Sequence, residues 1–190
     1  MNPSEARQHL EMAERIVADS TRHLPLCAVG LFFVIWGLFG GSCDLVFDLW
    51  RHQVLPSAAL WSLPALLVVA VVGSILYGRY LGEHRTSLTF LHREFLTILG
   101  VTIGVTWLAA WGAWRLFPGF STSALWSVAG SIVLFYIAFH ANRRALAGGI
   151  ILLASLIAAN FMANIEGYIL AGGMFLGYAG FGLAEMLARD

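Results

Sequence analysis

The sequence predicts an all-α, polytopic membrane protein with six transmembrane helices preceded by an N-terminal amphipathic helix. Hydrophobic residues make up 59% of the 190 residues and charged residues only 12%, against about 25% charged in an ordinary soluble domain. Apolar runs of about 20 residues, the length that crosses a bilayer core, recur along nearly the whole chain after residue 23. Because these runs are continuous rather than alternating, they favour helices over a β-barrel.

The first 23 residues differ in composition from the rest, so we divide the chain into residues 1–23 and a transmembrane bundle at 24–190. Arginines and acidic residues spaced four apart pair along one side of the first segment. Its apolar face is made of Ala6, Leu10, Ala13 and Val17. This pattern predicts an amphipathic helix at the inner membrane surface or against the bundle, and the alternative is a solvated helix that leads into the first span.

Six spans can be drawn within the bundle. Their approximate bounds are 24–45, 57–79, 95–116, 123–141, 145–162 and 166–187. The division between the fourth and fifth spans rests on Arg143 and Arg144, because two adjacent arginines at the centre of a bilayer are very costly. We therefore expect a turn at this point.

The arginines predict the orientation, since the chain has no lysine. Nine arginines fall on one side of the six-span arrangement, and only Arg51 and Arg115 fall on the other. Basic residues favour the cytoplasmic side, so we expect a multi-pass protein of the plasma (inner) membrane with both termini in the cytoplasm. An aromatic belt is expected at the opposite face, made of Trp50, Trp61, Trp114 and Trp126.

Small residues recur at helical spacing in three of the spans. The glycines concerned are Gly173, Gly177 and Gly180 in the sixth span, Gly78 in the second, and Gly100 and Gly104 in the third. Small side chains let helix backbones approach closely in lipid, so these faces are predicted to be buried, either within one chain or between copies. We expect the lipid bilayer and a homo-oligomer or other membrane subunits as partners, and no nucleic acid.

Two aspartates four residues apart, Asp44 and Asp48, close the first apolar run. Counting twenty residues from the start of the span reaches Cys43, so the favoured interpretation is that both acids mark the point where the helix leaves the membrane. In the alternative, the helix continues through them. Both acids then face an outward vestibule beside Arg51 and His52, where they select cations or pair with Arg115.

Glu166 and His140 complete the candidate vestibule or ligand groups. Glu166 opens the sixth span, where it either lines the outer mouth of a pathway or is a helix-end charge at the positive end of the helix dipole. Glu185, at the other end of that span, either pairs with an inner arginine such as Arg143 or Arg144 or is a helix-end charge. His140 is the histidine expected to be semi-buried. Because the histidines lack the spacing of metal or haem ligands, we expect interfacial anchoring and predict no metal and no cofactor.

The sequence contains no nucleophile elbow and no phosphate-binding glycine loop, so no catalytic residues are predicted and an enzyme is the least favoured class. The best indication of a polar lining is the set Thr97, Thr102 and Thr106 in the third span. Two functions remain open. The bundle either conducts or carries a small neutral or weakly acidic solute, which is favoured, or it is a non-catalytic accessory or structural subunit of a larger membrane protein complex.

The topology is similar to that of small acetate/succinate-type permeases, which also have six spans and inward termini. Those permeases carry an asparagine-proline signature near the first span. Here Asn2 and Pro3 lie far upstream in a polar segment. The chain is therefore assigned to no family, and no residue role is transferred.

Overall fold

A computed structural model describes residues 27–84, 90–116, 122–140 and 142–188. The predicted amphipathic helix at residues 1–23 lies outside the described residues. Within the described ranges, the chain forms helices and short connections and no strand. The structure therefore agrees with the predicted all-α class.

The helices follow the order of the predicted spans. They are α1 (Cys27–Arg51), α2 (Ser62–His84), α3 (Phe90–Leu116), α4 (Thr122–His140), α5 (Arg144–Phe161), α6 (Glu166–Gly173) and α7 (Gly180–Leu187). A π-helical turn (Met174–Ala179) joins α6 and α7 into one rod. Short 3₁₀ turns precede α2 (Ser57–Trp61) and α6 (Ala163–Ile165).

Several helix ends differ from the predicted spans because helical hydrogen bonding continues past the apolar run. α1 extends to Arg51 rather than ending near residue 45. It ends where Gln53 adopts a left-handed conformation with φ of 60°. The amide of Gln53 then donates to the carbonyl of Trp50, and the amide of Val54 donates to that of Leu49, both at 2.9 Å. This pair of bonds is a Schellman cap.

Five stretches of the described chain are long and apolar enough to cross a membrane. They are Gly30–Arg51, Ser57–Tyr80, Thr122–His140, Arg144–Phe161 and Ala163–Leu187. α3 contributes a shorter apolar stretch, Thr97–Gly112. These helices are compatible with an integral membrane protein.

The packed core is formed by α1, α4, α5 and the rod α6–α7. α4 packs along α5, while α1 packs along the rod. The largest fully buried apolar side chains are Leu134, Ile137, Leu152 and Leu170. Phe33 of α1 makes T-shaped ring contacts with Tyr178 and Phe181, at centroid distances of 4.9 and 5.1 Å. Burial of these apolar and aromatic groups joins α1 to the rod.

Glycines of the rod lie directly against α5. A Cβ atom at Gly177 would lie 2.8 Å from the carbonyl oxygen of Gly148, and one at Gly173 would overlap the side chain of Ser155. Side chains at these two positions would therefore force the helices apart. Gly180 is partly exposed, and a Cβ there would make ordinary contact at 3.6 Å with the carbonyl of Phe175 in the same rod.

α2 and α3 lie at the periphery of the bundle. α2 packs on α1, where the indole Nε1 of Trp36 donates to the hydroxyl of Ser74 at 3.1 Å, and α3 packs on α4. Gly78, Gly100 and Gly104 are exposed. A Cβ atom at Gly100 or Gly104 would meet no other atom of the described chain within 4 Å. Burial of these three glycines in an oligomer stays a prediction.

Candidate functional site

Asp44 lies inside the apolar stretch of α1 rather than at its end. The stretch runs from Gly30 to Arg51, so Asp44 is seven residues from its end, or about 10 Å along the helix axis. The side chain is only 7% exposed. α1 continues for two further turns beyond Asp44, and the other helices bury this carboxylate in the bundle. That Asp44 marks the point where the helix leaves the membrane stays a prediction.

A cavity of about 420 Å³ opens beside Asp44, between α1, α3 and α4. One face of α1 forms its longest wall. That face carries Phe32, Trp36, Phe39, Cys43, Asp44 and Phe47, with further lining from Phe33 and Gly40. Because these residues recur at spacings of three and four, they follow one stripe of the helix. Asp44 is thus the charged member of a predominantly aromatic wall.

α3 supplies the second wall, chiefly through Trp107, Trp111, Thr102 and Ala110. Both tryptophans are more than half exposed although they line the cavity. They therefore mark the side on which the cavity opens to the outside of the bundle. Of the three threonines expected to form a polar lining, Thr102 lies on the cavity, Thr106 is buried away from it and Thr97 is exposed.

α4 and the π turn complete the cavity. Ser123, Trp126 and Ala129 project from α4, and Met174 and Tyr178 project from the π turn. Trp126 lines this cavity, and its place in an aromatic belt stays a prediction. π-helical turns are frequent at functional sites.

Asp44 has two polar neighbours. The hydroxyl of Ser123 forms a hydrogen bond with the Asp44 carboxylate, and the carboxylate of Glu166 lies close enough to interact with it electrostatically. Glu166 itself lies 3.8 Å from the guanidinium of Arg51, which is 67% exposed. Glu166 therefore stands beside the cavity at the Asp44 end, and it is paired with an arginine that faces outward.

Asp48 points away from the cavity. It is 5% exposed, and its side chain packs against Gly167 in the first turn of α6, where a Cβ atom would overlap it. Its Oδ1 lies 3.7 Å from Nε2 of His52, while its Oδ2 has no hydrogen-bond partner within the described chain. The two aspartates predicted to share one vestibule are thus both buried, but only Asp44 reaches the cavity.

His140 does not join this site. It is the last residue of α4 and is exposed, whereas the sequence predicted a semi-buried side chain. Its ring stacks on Tyr136 at a centroid distance of 4.3 Å, and its Nδ1 lies 2.9 Å from the carbonyl oxygen of the same residue. The predicted position failed because α4 ends at His140, so that no further turn of helix covers the ring.

Sequence reasoning missed the tryptophans of the cavity. The spacing of Phe32, Trp36, Phe39 and Phe47 places them on one face with Asp44, and this signal is present in the sequence. Which faces of α3 and α4 oppose that stripe is not encoded by hydrophobicity, because lipid-facing and protein-facing surfaces are both apolar.

Among the residues that the structure describes, no group of three or more His, Cys, Asp or Glu side chains is placed to hold a metal ion. No family model matches the chain, and neither a curated protein nor a solved structure matches it.

Proposed function

We propose that the chain is a small-solute transporter or channel of the plasma (inner) membrane, and that the solute occupies the cavity beside Asp44. The observation that carries this proposal is the cavity itself, with a volume of about 420 Å³, an apolar wall and a few polar groups gathered near one end. Such pockets, largely apolar with a small number of placed polar groups, are characteristic of ligand sites. A buried carboxylate within a spanning helix is also typical of a functional position.

The topology is part of the proposal. We count α3 as the span that completes the set of six, in the third position along the chain. Its apolar stretch Thr97–Gly112 is continued by flanking helix on both sides. The nine arginines on one side of this arrangement support a cytoplasmic location for both termini. Single cysteines introduced at positions 2 and 188 test this, because a membrane-impermeant maleimide should label neither in intact cells and both after permeabilisation.

The chemistry of the cavity bears on the solute. The sequence favoured a neutral or weakly acidic solute. An ionised acid placed in the cavity would face Asp44 and the nearby Glu166, and no arginine or histidine lines the cavity among the described residues. Among neutral, acidic and cationic solutes, the acidic class is therefore the one that the cavity supports least.

Transport through the cavity can be tested by blocking it. Ala110 lines the cavity, whereas its neighbour Ala109 is exposed and does not. In proteoliposomes, uptake should be measured with glycerol, acetate and benzyltrimethylammonium as probes of the three charge classes. We expect at least one probe to enter faster than in protein-free vesicles, Ala110→Trp to abolish this uptake, and Ala109→Trp to retain it. Equal uptake by both variants would remove the cavity from the pathway.

The exposed glycines of α2 and α3 favour a second candidate, a non-catalytic subunit of a larger membrane complex. Gly100 and Gly104 leave open space on α3, which a second helix could approach closely. Mild detergent extraction from the native membrane distinguishes the two candidates. A subunit should migrate with a different membrane protein, and Gly100→Leu should release it, whereas a self-contained transporter should run alone or with copies of itself.

A further inference from the structure

We propose that the cavity is selective for an amphiphilic organic cation, with a positively charged nitrogen held at Asp44 and an apolar body among the aromatic side chains. This inference rests on the proposed function, since it names the class of solute that the same cavity takes. Three properties of the cavity support the proposal: its charge, the chemistry of its walls and its length.

The charge of the cavity is one-sided. Asp44 is the single charged side chain on its lining within the described ranges. It is 93% buried, and its described polar partner is the neutral hydroxyl of Ser123. The neighbouring Glu166 lies at the same end, where it is paired with the outward-facing Arg51 at 3.8 Å. A buried carboxylate without a counter-charge is costly, so a cation that enters the cavity gains an interaction that a neutral molecule lacks.

The walls suit the body of such a cation. The indole rings of Trp36, Trp107, Trp111 and Trp126 line the cavity. Aromatic faces attract a positive charge through their quadrupole, with tryptophan the strongest, and they also bury apolar groups. Quaternary ammonium groups are recognised in this way by aromatic cages. The faces of these rings carry the negative end of the quadrupole, so they disfavour an anion placed over them.

The cavity is longer than a simple ion. Asp44 and Phe33 both line it and are separated by eleven residues of α1, or about 16 Å along the helix. Asp44 and Ser123 lie at one end, while the region around Phe33 and Val133 belongs to the apolar core. An occupant with its charge at one end and an apolar group at the other matches this gradient.

A matched pair of probes tests the charge directly. Benzyltrimethylammonium and neopentylbenzene have nearly the same shape, but only the first carries a charge. Equilibrium binding of each tritiated probe should be measured on the full-length protein in detergent, with Ala110→Trp as the blank for partition into detergent. We expect wild type to bind the cation on the order of 30-fold more tightly than the neutral probe.

Asp44→Asn should reduce the affinity for benzyltrimethylammonium by about 30-fold and leave that for neopentylbenzene unchanged. Asp48→Asn is the matched control, since Asp48 is an equally buried carboxylate one turn along α1 that does not line the cavity. The affinity of the Asp48→Asn variant for benzyltrimethylammonium should stay within about threefold of that of wild type.

The outcomes separate the two proposals. Equal affinity of wild type for both probes, each above the Ala110→Trp blank, overturns cation selection and keeps the cavity as a binding site. An unchanged affinity of Asp44→Asn for the cation, or an equal loss in Asp48→Asn, overturns the assignment to Asp44. Binding of neither probe above the Ala110→Trp blank overturns cation selection and the proposed binding cavity together.

Discussion

The side-chain amide of Asn142 donates a hydrogen bond to Oε1 of Glu185 at 2.7 Å, which joins the turn before α5 to the last helix of the chain. The Oδ1 atom of Asn142 also accepts from the backbone amide of Arg144 at 2.9 Å, so one side chain caps α5 and holds α7. The guanidinium of Arg144 lies 3.9 Å from the same Glu185 oxygen. The predicted pairing of Glu185 with an adjacent arginine is therefore confirmed for Arg144.

We expect Asn142→Ala to lower the free energy of unfolding by about 2 kcal/mol, because it removes a helix cap and leaves the buried Glu185 carboxylate without its hydrogen bond. Arg144→Ala should cost less than about 1 kcal/mol, because the Arg144 side chain is 61% exposed and its ion pair is long. Thermal unfolding in detergent measures both. A larger loss in Arg144→Ala would show that the ion pair, rather than the Asn142 bonds, holds the two helices.

Glycine substitutions should separate the packed helices from the peripheral ones. Gly177→Ala places a Cβ atom 2.8 Å from the backbone of Gly148, so the two helices must shift. We expect a loss of about 1–3 kcal/mol. Gly100→Ala meets open space, so it should be neutral or stabilise the helix by up to about 1 kcal/mol. Melting temperatures of the two variants, measured side by side, test this contrast, and an equal loss at both positions would contradict it.

The same glycines show what the sequence can predict. The spacing of Gly173 and Gly177 indicates a face where backbones approach, and the structure places both against α5. Gly100 and Gly104 have an equivalent spacing but meet no neighbour in the described chain. Spacing identifies the face of a helix and not the helix that covers it, because in lipid both covered and uncovered faces are apolar.

The position of Asp44 shows a second limit. The helices were predicted from continuous apolar runs, and the structure has helices in the same order along the chain. The burial of Asp44 was not predicted, because it depends on which face of α1 lies against the other helices. The length of an apolar run does not encode that face.

Two serines one turn apart in α4 should respond in opposite directions. The hydroxyl of Ser127 is fully buried and has no hydrogen-bond partner in the described chain, whereas the hydroxyl of Ser131 donates to the carbonyl of Ser127 at 2.8 Å. Removing an unpaired buried hydroxyl relieves its desolvation cost, so Ser127→Ala should stabilise the protein by about 1 kcal/mol. Ser131→Ala should cost about 1 kcal/mol. Melting temperatures that fall in both variants would show that Ser127 has a partner.

The π turn should absorb one extra residue without changing the alignment of α7 with α1. A π-helical turn contains one residue more than an α-helix needs for the same rotation, so the deletion of Leu176 would restore a regular helix and leave α7 in place. Gly182 would then stay packed on Gly30, and Glu185 would keep its bond from Asn142. We expect this deletion to cost about 1 kcal/mol. Deletion of Leu183 is the matched contrast, since both leucines are more than half exposed but Leu183 lies in the regular helix α7. Its removal rotates the following residues by about 100° and moves Glu185 off Asn142, so it should cost about 3 kcal/mol. Equal melting temperatures of the two deletion variants in detergent would contradict this account of the π turn.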